Sequence, residues 1–326
     1  MKKNVAIAMG GFSSEFDISI KSGNAVYQAL KNTDYNTYRT IIARDSWYLL
    51  DKKDNKIPLD KSDFSAIVDN VKVYFDVVFN TIHGSPGEDG LIQGYFENMG
   101  IPQTASSHYP SALTYNKRDC ISVLKPYGVD SAKNYLLDEG DPLDVNAILE
   151  KVGLPCFVKA NRAGSSFGIT KVKKEDELIP AIEHAYKEDD EVIIEQAING
   201  REFSVGVINY DGRPMVLPIT EIRSKNEFFD FDAKYHGKAE EITPADLDVK
   251  IQNSIQKEAL KIFKILKLKG LTRAEFIVEN EIPYFIEINT CPGLTDASIL
   301  PQQARAANIS LQDLYTNAIE VALGET

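Results

Sequence analysis

Alternating strand and helix patterns run through the first hundred residues. Residues 4–9 form a continuous apolar run, typical of a parallel strand covered on both faces, and Gly10-Gly11 separates it from a helical pattern over residues 19–31. Two more strands are predicted at residues 37–43 and 76–82, and a helix at residues 90–99. This order predicts a Rossmann-like α/β unit. It lacks the GxGxxG fingerprint, which disfavours a nicotinamide cofactor.

Two further units follow. The second is predicted to contain helices at residues 110–127, 144–152 and 175–187 and strands at residues 156–159, 168–172 and 192–195. The third opens with a hairpin over residues 202–222, in which Asp211-Gly212 is a turn signal. A helix over residues 249–268 follows, with its apolar residues in one stripe and Gly270 as its C-cap glycine. We therefore expect a mixed α/β and α+β protein with domains at residues 1–112, 113–198 and 199–326.

A second hairpin, near the carboxyl end, brings acidic residues together. Segments 271–278 and 283–290 flank a predicted turn at residues 279–281. The alternation of apolar and polar positions places Glu275 opposite Glu287, and Arg273 opposite Asn289, on one face. The pairs on the other face are then all apolar: Ala274 with Ile288, Phe276 with Ile286, and Val278 with Tyr284. A one-residue slip would mix charged and apolar partners on both faces, so the pattern selects this register.

Two facing carboxylates need a neutralising partner. At roughly 4 Å and an effective dielectric of about 20, their repulsion is about 4 kcal/mol. A divalent cation would remove it, and the oxygen ligands of Glu275, Glu287 and Asn289 suit Mg²⁺. Arg273 beside such a metal would stabilise negative charge that arises in a reaction. A solvated strand face, partly neutralised by Arg273, explains the pattern alone equally well.

A glycine- and serine-rich turn at residues 164–168 joins two predicted strands, and Lys159 lies on the first. Backbone N–H groups and hydroxyls of such a turn can fold over a phosphate while the lysine supplies charge. The turn is not a Walker A motif, and a plain hairpin turn is the simpler interpretation of the pattern alone. Weaker candidates for contacts to phosphate, adenine or ribose are Lys117, Lys234, Glu195 and Glu202. Each of these alone is more simply a solvated side chain.

Composition narrows the class of partner. The 326 residues carry a formal net charge of −12, which disfavours nucleic acid and anionic membranes because both favour basic patches. No stretch approaches the roughly 18 apolar residues of a membrane span. The apolar run near Met1 is too short for a signal sequence, so we expect a cytoplasmic protein with a small-molecule substrate. Three widely spaced cysteines without a CxxC predict buried thiols.

Several short motifs occur in a fixed order along nearly the whole chain. They are Gly10–Glu15, His83-Gly84, Gly87–Gly90, Asn116-Lys117, Lys159 with Gly164-Ser165-Ser166, Ala233-Lys234-Tyr235, Glu287–Gly293 and Ser298–Pro301. Together they resemble the ATP-grasp superfamily and, within it, the D-alanine:D-alanine ligases. The resemblance implies an amino-terminal Rossmann-like domain with a parallel sheet and two α+β lobes that enclose ATP. It also implies ATP-dependent ligation of two D-alanine molecules for peptidoglycan precursor synthesis.

The resemblance assigns roles to individual positions. Its ATP-binding residues are Lys117, Lys159, Ser165, Ser166, Gly168, Glu195, Gln196, Ala197, Ile198, Glu202 and Lys234. The lysines and the loop would meet the phosphates, residues 195–198 the adenine, and Glu202 the ribose. Glu275, Glu287 and Asn289 would hold two Mg²⁺ ions, or Mn²⁺ in their place.

The substrate and catalytic roles are also implied by the resemblance. Glu15 would meet the ammonium of the first D-alanine, within a network that includes Ser165 and Tyr235. Arg273 and the N–H of Gly293 would stabilise the tetrahedral oxyanion. Ser298 and Ile299 would bind the carboxylate of the second substrate, with His83 nearby as an orienting group or a proton relay.

This chain also departs from the family pattern. Glu275 stands where the family commonly has aspartate, which puts the metal-ligand distance in doubt. Tyr235 favours a dipeptide product over the depsipeptide that a ligase using D-lactate would make. A non-catalytic ATP-binding protein on the same fold is the third alternative, but the expected lysines and metal ligands are all present. The resemblance further suggests a homodimer formed through the amino-terminal unit.

Overall fold

The computed structural model describes residues 2–164, 168–224 and 239–325, and three β-sheets organise them. The strands of the first sheet are β1 (Lys3–Gly10), β2 (Tyr35–Ile42), β3 (Trp47–Leu50), β4 (Lys56–Asp60), β5 (Ser65–Val68), β6 (Val71–Val73) and β7 (Val77–Asn80). They lie in the order β6-β5-β4-β3-β2-β1-β7. β1 runs parallel to β2 and β7, and the other pairs are antiparallel.

Strand β1 is covered on both faces, as its apolar run predicts. Val5 and Ile7 pack in one core with helix α1 (Phe16–Leu30), while Ala6 and Ala8 pack in a second core with Phe96 of helix α2 (Leu91–Asn98). Strands β3 to β6 were not predicted from the sequence. Each has only three to five residues, too few to show a clear periodicity of apolar and polar positions.

The second sheet is antiparallel and smaller. Its strands are β8 (Asn134–Asp138), β9 (Cys156–Ala160), β10 (Thr170–Val172) and β11 (Glu191–Gln196), in the order β10-β9-β11-β8. Helices α5 (Val145–Val152) and α6 (Leu178–Ala185) cover it, and Ile148, Leu178 and Val158 are fully buried in the shared core. The face of this sheet that the two helices do not cover lines a cleft through Phe157, Lys159 and Glu195.

The third sheet faces the second. Its strands are β12 (Arg201–Tyr210), β13 (Arg213–Val216), β14 (Thr220–Ser224), β15 (Ala239–Ile242), β16 (Leu271–Glu279) and β17 (Ile282–Asn289). They lie in the order β15-β14-β12-β16-β17, with β13 beside β12. The predicted Asp211-Gly212 turn is confirmed, since both residues have the positive φ values, 47° and 72°, that a tight hairpin requires. Helix α7 (Val249–Ile265) covers this sheet through the predicted apolar stripe.

The carboxyl-terminal helices join this sheet to the amino-terminal one. Helix α8 (Ile299–Ala306) contacts β12, and helix α9 (Leu311–Leu323) packs against α1. One hydrophobic core therefore runs from Ile7 through Leu300 to Tyr315. No helix within the described ranges has both the length and the hydrophobicity needed to cross a bilayer.

The prediction of one helix over residues 110–127 was wrong. Two helices occupy this region, α3 (His108–Tyr115) and α4 (Lys117–Leu124), and Asn116 between them has an extended backbone. Its side chain accepts a hydrogen bond from the N–H of Asp119 at 2.9 Å, so it is the N-cap of α4. The break places Lys117 at the first position of α4, where its side chain is buried.

Gly270 does not cap the preceding helix, contrary to the prediction. Helix α7 ends at Ile265, and the residue with left-handed backbone that follows is Lys267, with φ 52°. Gly270 instead permits a close approach between segments. A Cβ atom at this position would lie 1.9 Å from the carbonyl oxygen of Thr104.

The predicted register of the β16–β17 hairpin is right at one end and wrong at the other. Glu275 faces Glu287 and Arg273 faces Asn289, as predicted. Beyond a β-bulge after Glu275, Phe276 pairs with Phe285 and not with Ile286, and Val278 pairs with Pro283. The turn has two residues, Asn280 and Glu281, both with positive φ, where three were expected.

The bulge changes which side chains reach the core. Phe285 is 3% exposed and its ring lies 6.0 Å from that of Phe276, edge to face. Ile286 and Tyr284, which were expected on the apolar face, line a cleft on the other side of the sheet. A bulge lets one strand supply both a core face and an apolar cleft wall, because it breaks the strict alternation of side chains.

Candidate active site

Two clefts meet at the carboxylate pair of the hairpin. The first lies between the second and third sheets and is lined by Lys117, Lys159, Glu195, Gln196, Ile198, Glu202, Glu275, Glu287 and apolar side chains. The second is lined by Glu15, His83, Arg273, Asn289, Gly293, Ser298 and Ile299, among others. Glu287 borders both clefts. The junction therefore joins a cleft with lysines and an apolar wall to a polar cleft whose lining carries both positive and negative side chains.

The two facing glutamates have cationic neighbours. Glu275 is 4% exposed and forms a very short ion pair with Arg273, whose guanidinium also donates to the hydroxyl of Ser204 at 2.9 Å. Lys117 lies 3.4 Å from a carboxylate oxygen of Glu287 and donates to the carbonyl of Ala163 at 2.8 Å. The cations offset the mutual repulsion of the carboxylates and fix their positions.

The same residues fit a magnesium ion that also binds phosphate. Two carboxylates and the amide of Asn289 provide oxygen donors from one face of the hairpin. Within residues 2–164, 168–224 and 239–325 there is no group of three or more His, Cys, Asp or Glu side chains that could hold a metal by itself. The three oxygen donors Glu275, Glu287 and Asn289 suit Mg²⁺, because this ion completes its coordination with water and phosphate oxygens.

Lys159 and Glu195 form a buried ion pair in the first cleft. The Lys159 Nζ and Glu195 Oε2 atoms are 2.6 Å apart, and the side chains are 12% and 8% exposed. Burial favours the neutral amine, but the carboxylates of Glu195, Glu287 and Glu202 outweigh it and raise the pKa of Lys159. Lys159 is therefore charged at neutral pH, which the phosphate contact predicted for it requires.

The three residues from Gln196 to Ile198, which were expected to contact adenine, differ in their position relative to the first cleft. The backbone N–H of Gln196 donates to the carbonyl of Lys133 at 2.9 Å, and that of Ala197 donates to the carbonyl of Pro155 at 3.1 Å. Gln196 and Ile198 line the cleft, whereas Ala197 is not part of the lining. The predicted contact at Ala197 is therefore not placed at the cleft wall, whereas Gln196 and Ile198 are.

Glu15 lies at the wall of the second cleft, beside two glycines. Its side chain is 7% exposed. A Cβ atom at Gly164 would lie 2.7 Å from Glu15 Oε2, and one at Gly84 would lie 3.2 Å from the same oxygen. The carboxylate is therefore positioned by the absence of side chains at both neighbours.

The loop after β17 brings Gly293 next to Ser298. A Cβ atom at Gly293 would lie 2.9 Å from Ser298 Oγ. That hydroxyl oxygen accepts a hydrogen bond from the N–H of Thr295 at 3.1 Å and makes no capping bond to helix α8, which begins at Ile299. The first N–H groups of α8 thus remain without a side-chain cap at the end of the second cleft.

Four predicted site residues lie outside the described residues: Ser165, Ser166, Lys234 and Tyr235. Gly168 is described and has a φ of 67°, but it packs against Glu188 and Ala160, away from the first cleft. The neighbouring Ile169 lines that cleft instead.

Two acidic residues of the second cleft received no role from the sequence. Burial, with the nearby charge of Glu15, raises the pKa of Glu88 to about 8. Burial also raises the pKa of Glu241, which accepts a hydrogen bond from Gln302 at 2.6 Å. Glu88 lies within the Gly87–Gly90 motif, so the sequence could have indicated it as a site residue. Glu241 lies on a short strand with no pattern to distinguish it.

Cys291, which follows the metal-ligand candidates, is not placed as a nucleophile. It is 4% exposed, and burial raises the pKa of its thiol well above the usual value. Its sulfur lies 3.5 Å from the carbonyl oxygen of Asn80. A buried, protonated thiol fills space, as expected from the sequence.

The two facing sheets around a cleft that contains two lysines, joined to a Rossmann-like domain, define an ATP-grasp enzyme. Family models described as the amino and carboxyl termini of D-ala D-ala ligase match residues 4–106 and 129–320. The chain therefore belongs to the D-alanine–D-alanine ligase family.

Individual relatives agree over the full length. The chain is 56% identical to a D-alanine–D-alanine ligase of Flavobacterium johnsoniae over 98% of this chain and 99% of the relative. Among solved structures it is similar to a D-alanyl-alanine synthetase A from Vibrio cholerae, with a TM-score of 0.88, 28% identity and 99% coverage of both chains. A D-Ala:D-Ser ligase from Enterococcus faecalis gives a TM-score of 0.85 at 29% identity, covering 99% of this chain and 100% of that one.

Proposed function

We propose that this chain joins two D-alanine molecules into D-alanyl-D-alanine for peptidoglycan precursor synthesis, converting ATP to ADP and phosphate. The observation that carries the proposal is the junction of the two clefts at Glu287. It sets a space with two lysines and an apolar wall beside a space whose lining includes the buried carboxyl group of Glu15 and the guanidinium of Arg273. A phosphoryl group and an amino acid can meet there.

ATP would occupy the first cleft. Lys117 and Lys159 meet its phosphates, Ile286 and Tyr284 contact the adenine side, and Glu202 meets the ribose. The contacts proposed for Ser165, Ser166 and Lys234 complete the phosphate site from segments outside the described residues. Adenine recognition rests on Glu195 and on the backbone from Gln196 to Ile198.

Glu275, Glu287 and Asn289 would hold Mg²⁺ bound to the nucleotide, with Mn²⁺ as a substitute. When bound, the metal neutralises phosphate charge and orients the transferred group. Glu275 lies directly before the β-bulge and also pairs with Arg273. Arg273 is thereby held between the metal ligands and the second cleft.

The reaction proceeds in two steps. The carboxylate of the first D-alanine, held through its ammonium by Glu15, attacks the γ-phosphorus, and the bond to ADP breaks. The amine of the second D-alanine then attacks the carbonyl carbon of the acyl phosphate, loses a proton, and phosphate leaves. Arg273 and the N–H of Gly293 stabilise the oxyanion of the tetrahedral intermediate, since donors fixed at developing charge lower the barrier.

The second substrate would bind at the end of helix α8. Its carboxylate is placed by Ser298 and by the N–H of Ile299, because uncapped N–H groups at a helix start favour anions. Tyr235 belongs to the same proposed network with Glu15. We also propose a cytoplasmic location, where ATP is supplied, a homodimer formed through the amino-terminal unit, and domains at residues 1–112, 113–198 and 199–326.

A coupled assay for ADP release tests the reaction. With Mg²⁺ and ATP we expect ADP release that depends on D-alanine, is absent with L-alanine, and yields the dipeptide by mass spectrometry. Adding D-serine or D-lactate to D-alanine tests the acceptor, because a solved relative is a D-Ala:D-Ser ligase. A mixed product in excess of D-alanyl-D-alanine would contradict the proposed acceptor, and ADP release with L-amino acids alone would contradict the substrate class.

A further inference from the structure

The loop that carries Gly293 is bonded to the amino-terminal domain through its backbone. The Nδ1 atom of His83 lies 2.9 Å from the carbonyl oxygen of Cys291. The N–H of Cys291 donates to Glu88 at 3.3 Å, and the N–H of Leu294 donates to the hydroxyl of Ser22 at 3.3 Å. Both sides of Gly293 are therefore held by side chains that lie about 200 residues or more earlier in the chain.

The direction of each bond fixes the state of His83. A carbonyl oxygen only accepts, so Nδ1 carries the proton that bonds to Cys291. In the neutral ring Nε2 is then an acceptor, and the hydroxyl of Ser22, 3.0 Å away, donates to it. The oxygen of Ser22 keeps a lone pair for the N–H of Leu294. Ser22, His83 and the loop form one directional chain of hydrogen bonds.

The surroundings keep the ring neutral. His83 is 5% exposed, and burial lowers its pKa against the opposing influence of Glu15. Both ring nitrogens are engaged in the chain of bonds to Ser22 and Cys291. A proton relay would need one nitrogen to turn toward the substrate and leave a buried partner unbonded, which is costly.

Glu88 connects the loop that carries His83 to the backbone of residues 291–294. Its Oε2 accepts the N–H of Gly84 at 2.8 Å, and its Oε1 accepts the N–H of Cys291 at 3.3 Å. One carboxyl group therefore bridges the residue after His83 and the residue two before Gly293. On the far side, the hydroxyl of Tyr315 donates to the carbonyl of Leu294 at 2.7 Å.

We propose that Ser22, His83 and Glu88 are positioning residues that hold the backbone of residues 291–294 so that the Gly293 N–H points at the oxyanion. His83 acts as a fixed N–H donor to Cys291 and does not transfer a proton. The proposal rests on the proposed ligase reaction. Through these three residues, the amino-terminal domain contributes to oxyanion stabilisation in the second chemical step.

Isosteric variants of His83 separate positioning from proton transfer. The amide nitrogen of His83→Asn can occupy the place of Nδ1 and still donate to Cys291, whereas the amide of His83→Gln reaches the place of Nε2 and loses that bond. We expect kcat within about tenfold of wild type for Asn and a loss of about 100-fold for Gln and Ala, since removal of one oxyanion donor costs about 10²–10³. The KM for ATP should stay unchanged.

A proton relay predicts a different order. No amide accepts a proton at neutral pH, so Asn, Gln and Ala would then be equally inactive. That result, with an active wild type, would overturn the positioning role. A wild type without D-alanine-dependent ADP release would instead overturn the proposed function.

Serine variants test the other end of the chain, with a matched control. Ser22 and Ser19 are both fully buried on helix α1, but Ser19 bonds to Gly10 and Thr81 and not to residues 291–294. Amide hydrogen exchange at Leu294 should accelerate at least tenfold in Ser22→Ala and remain unchanged in Ser19→Ala. This measurement does not depend on activity, and equal exchange in both variants would refute the role of Ser22.

The affected chemical step can also be identified. Positional isotope exchange in ATP reports return of the acyl phosphate to ATP, and its ratio to dipeptide formation measures how the intermediate partitions. We expect this ratio to rise at least fivefold in Ser22→Ala and His83→Gln, because the first step does not use the oxyanion donors. A merely structural defect would lower both rates together and leave the ratio unchanged, which would contradict the proposal.

Discussion

The buried pair of Lys159 and Glu195 allows stability and ATP binding to be separated. At 2.6 Å the pair attracts by about 6 kcal/mol for an effective dielectric of about 20, but desolvation costs several kcal/mol for each ion. The net value of the intact pair is therefore small. Removing one partner leaves the other buried and uncompensated, which typically costs about 3–5 kcal/mol.

We therefore expect Lys159→Met to lower the free energy of unfolding by about 3 kcal/mol, because Glu195 is only 8% exposed. The double variant Lys159→Met with Glu195→Leu should return to within about 1 kcal/mol of wild type, since apolar replacements of similar volume remove both desolvation costs. The KM for ATP should remain raised in the double variant. Loss of a hydrogen bond to a charged phosphate, about 1.5–3 kcal/mol, predicts a KM for ATP raised about 10- to 100-fold in both variants.

Urea unfolding at fixed pH and steady-state ADP release measure the two quantities on the same preparations. Glu195→Leu alone leaves Lys159 unpaired, and because Glu195 also belongs to the proposed adenine site, this variant measures how much of the KM change in the double variant comes from Glu195. A double variant as unstable as Lys159→Met would show that the cost does not come from an uncompensated charge. An unchanged KM for ATP in Lys159→Met would remove Lys159 from the phosphate site.

Three further predictions concern the metal site, a titrating group and a close backbone contact. Glu287→Gln should lower kcat by at least about 10² while the thermal midpoint changes little, because it removes a metal ligand and also a like-charge repulsion; near wild-type turnover would exclude the metal role. Glu88 has a folded pKa of about 8, above its usual 4.5, so it favours folding most below pH 4.5 and that contribution is lost as pH rises to about 8. The unfolding free energy of Glu88→Gln should consequently fall less between pH 5 and 8 than that of wild type, and equal slopes would contradict the shift. Gly270→Ala should destabilise by more than about 3 kcal/mol, because the new Cβ meets the carbonyl of Thr104 at 1.9 Å, whereas Gly128→Ala, with φ 69° and open space, should cost only about 1–2 kcal/mol in urea unfolding.

Local patterns predicted the parts of the fold that depend on neighbouring residues. The apolar run at β1, the Asp211-Gly212 turn and the stripe on α7 each carry their signal within a few residues, and the structure contains all three. The strands β3 to β6 are each too short to show a clear periodicity, although every residue of β3 is apolar or aromatic. Asn116 was missed as a helix break because its capping role shows only once the backbone direction is known.

The hairpin shows the same limit within one element. Strict alternation predicted Glu275 opposite Glu287, and this holds because no irregularity separates them from the register of residues 273 and 289. Alternation could not predict the bulge. Its position depends on a two-residue turn and on the burial of Phe285 beside Phe276, and the core that buries them comes from other segments.

By itself, the sequence predicted β1, α1, β2, β7 and α2 in their chain order, the facing carboxylates and, through its motifs, the family of the chain. Only the tertiary structure decided that His83 bonds to a carbonyl 208 residues away, that Gly270 is needed for contact with Thr104, and that burial raises the pKa of Glu88. The reason is physical. Hydrogen bonding, close packing and desolvation act through space, between segments whose distance along the chain carries no record of their contact.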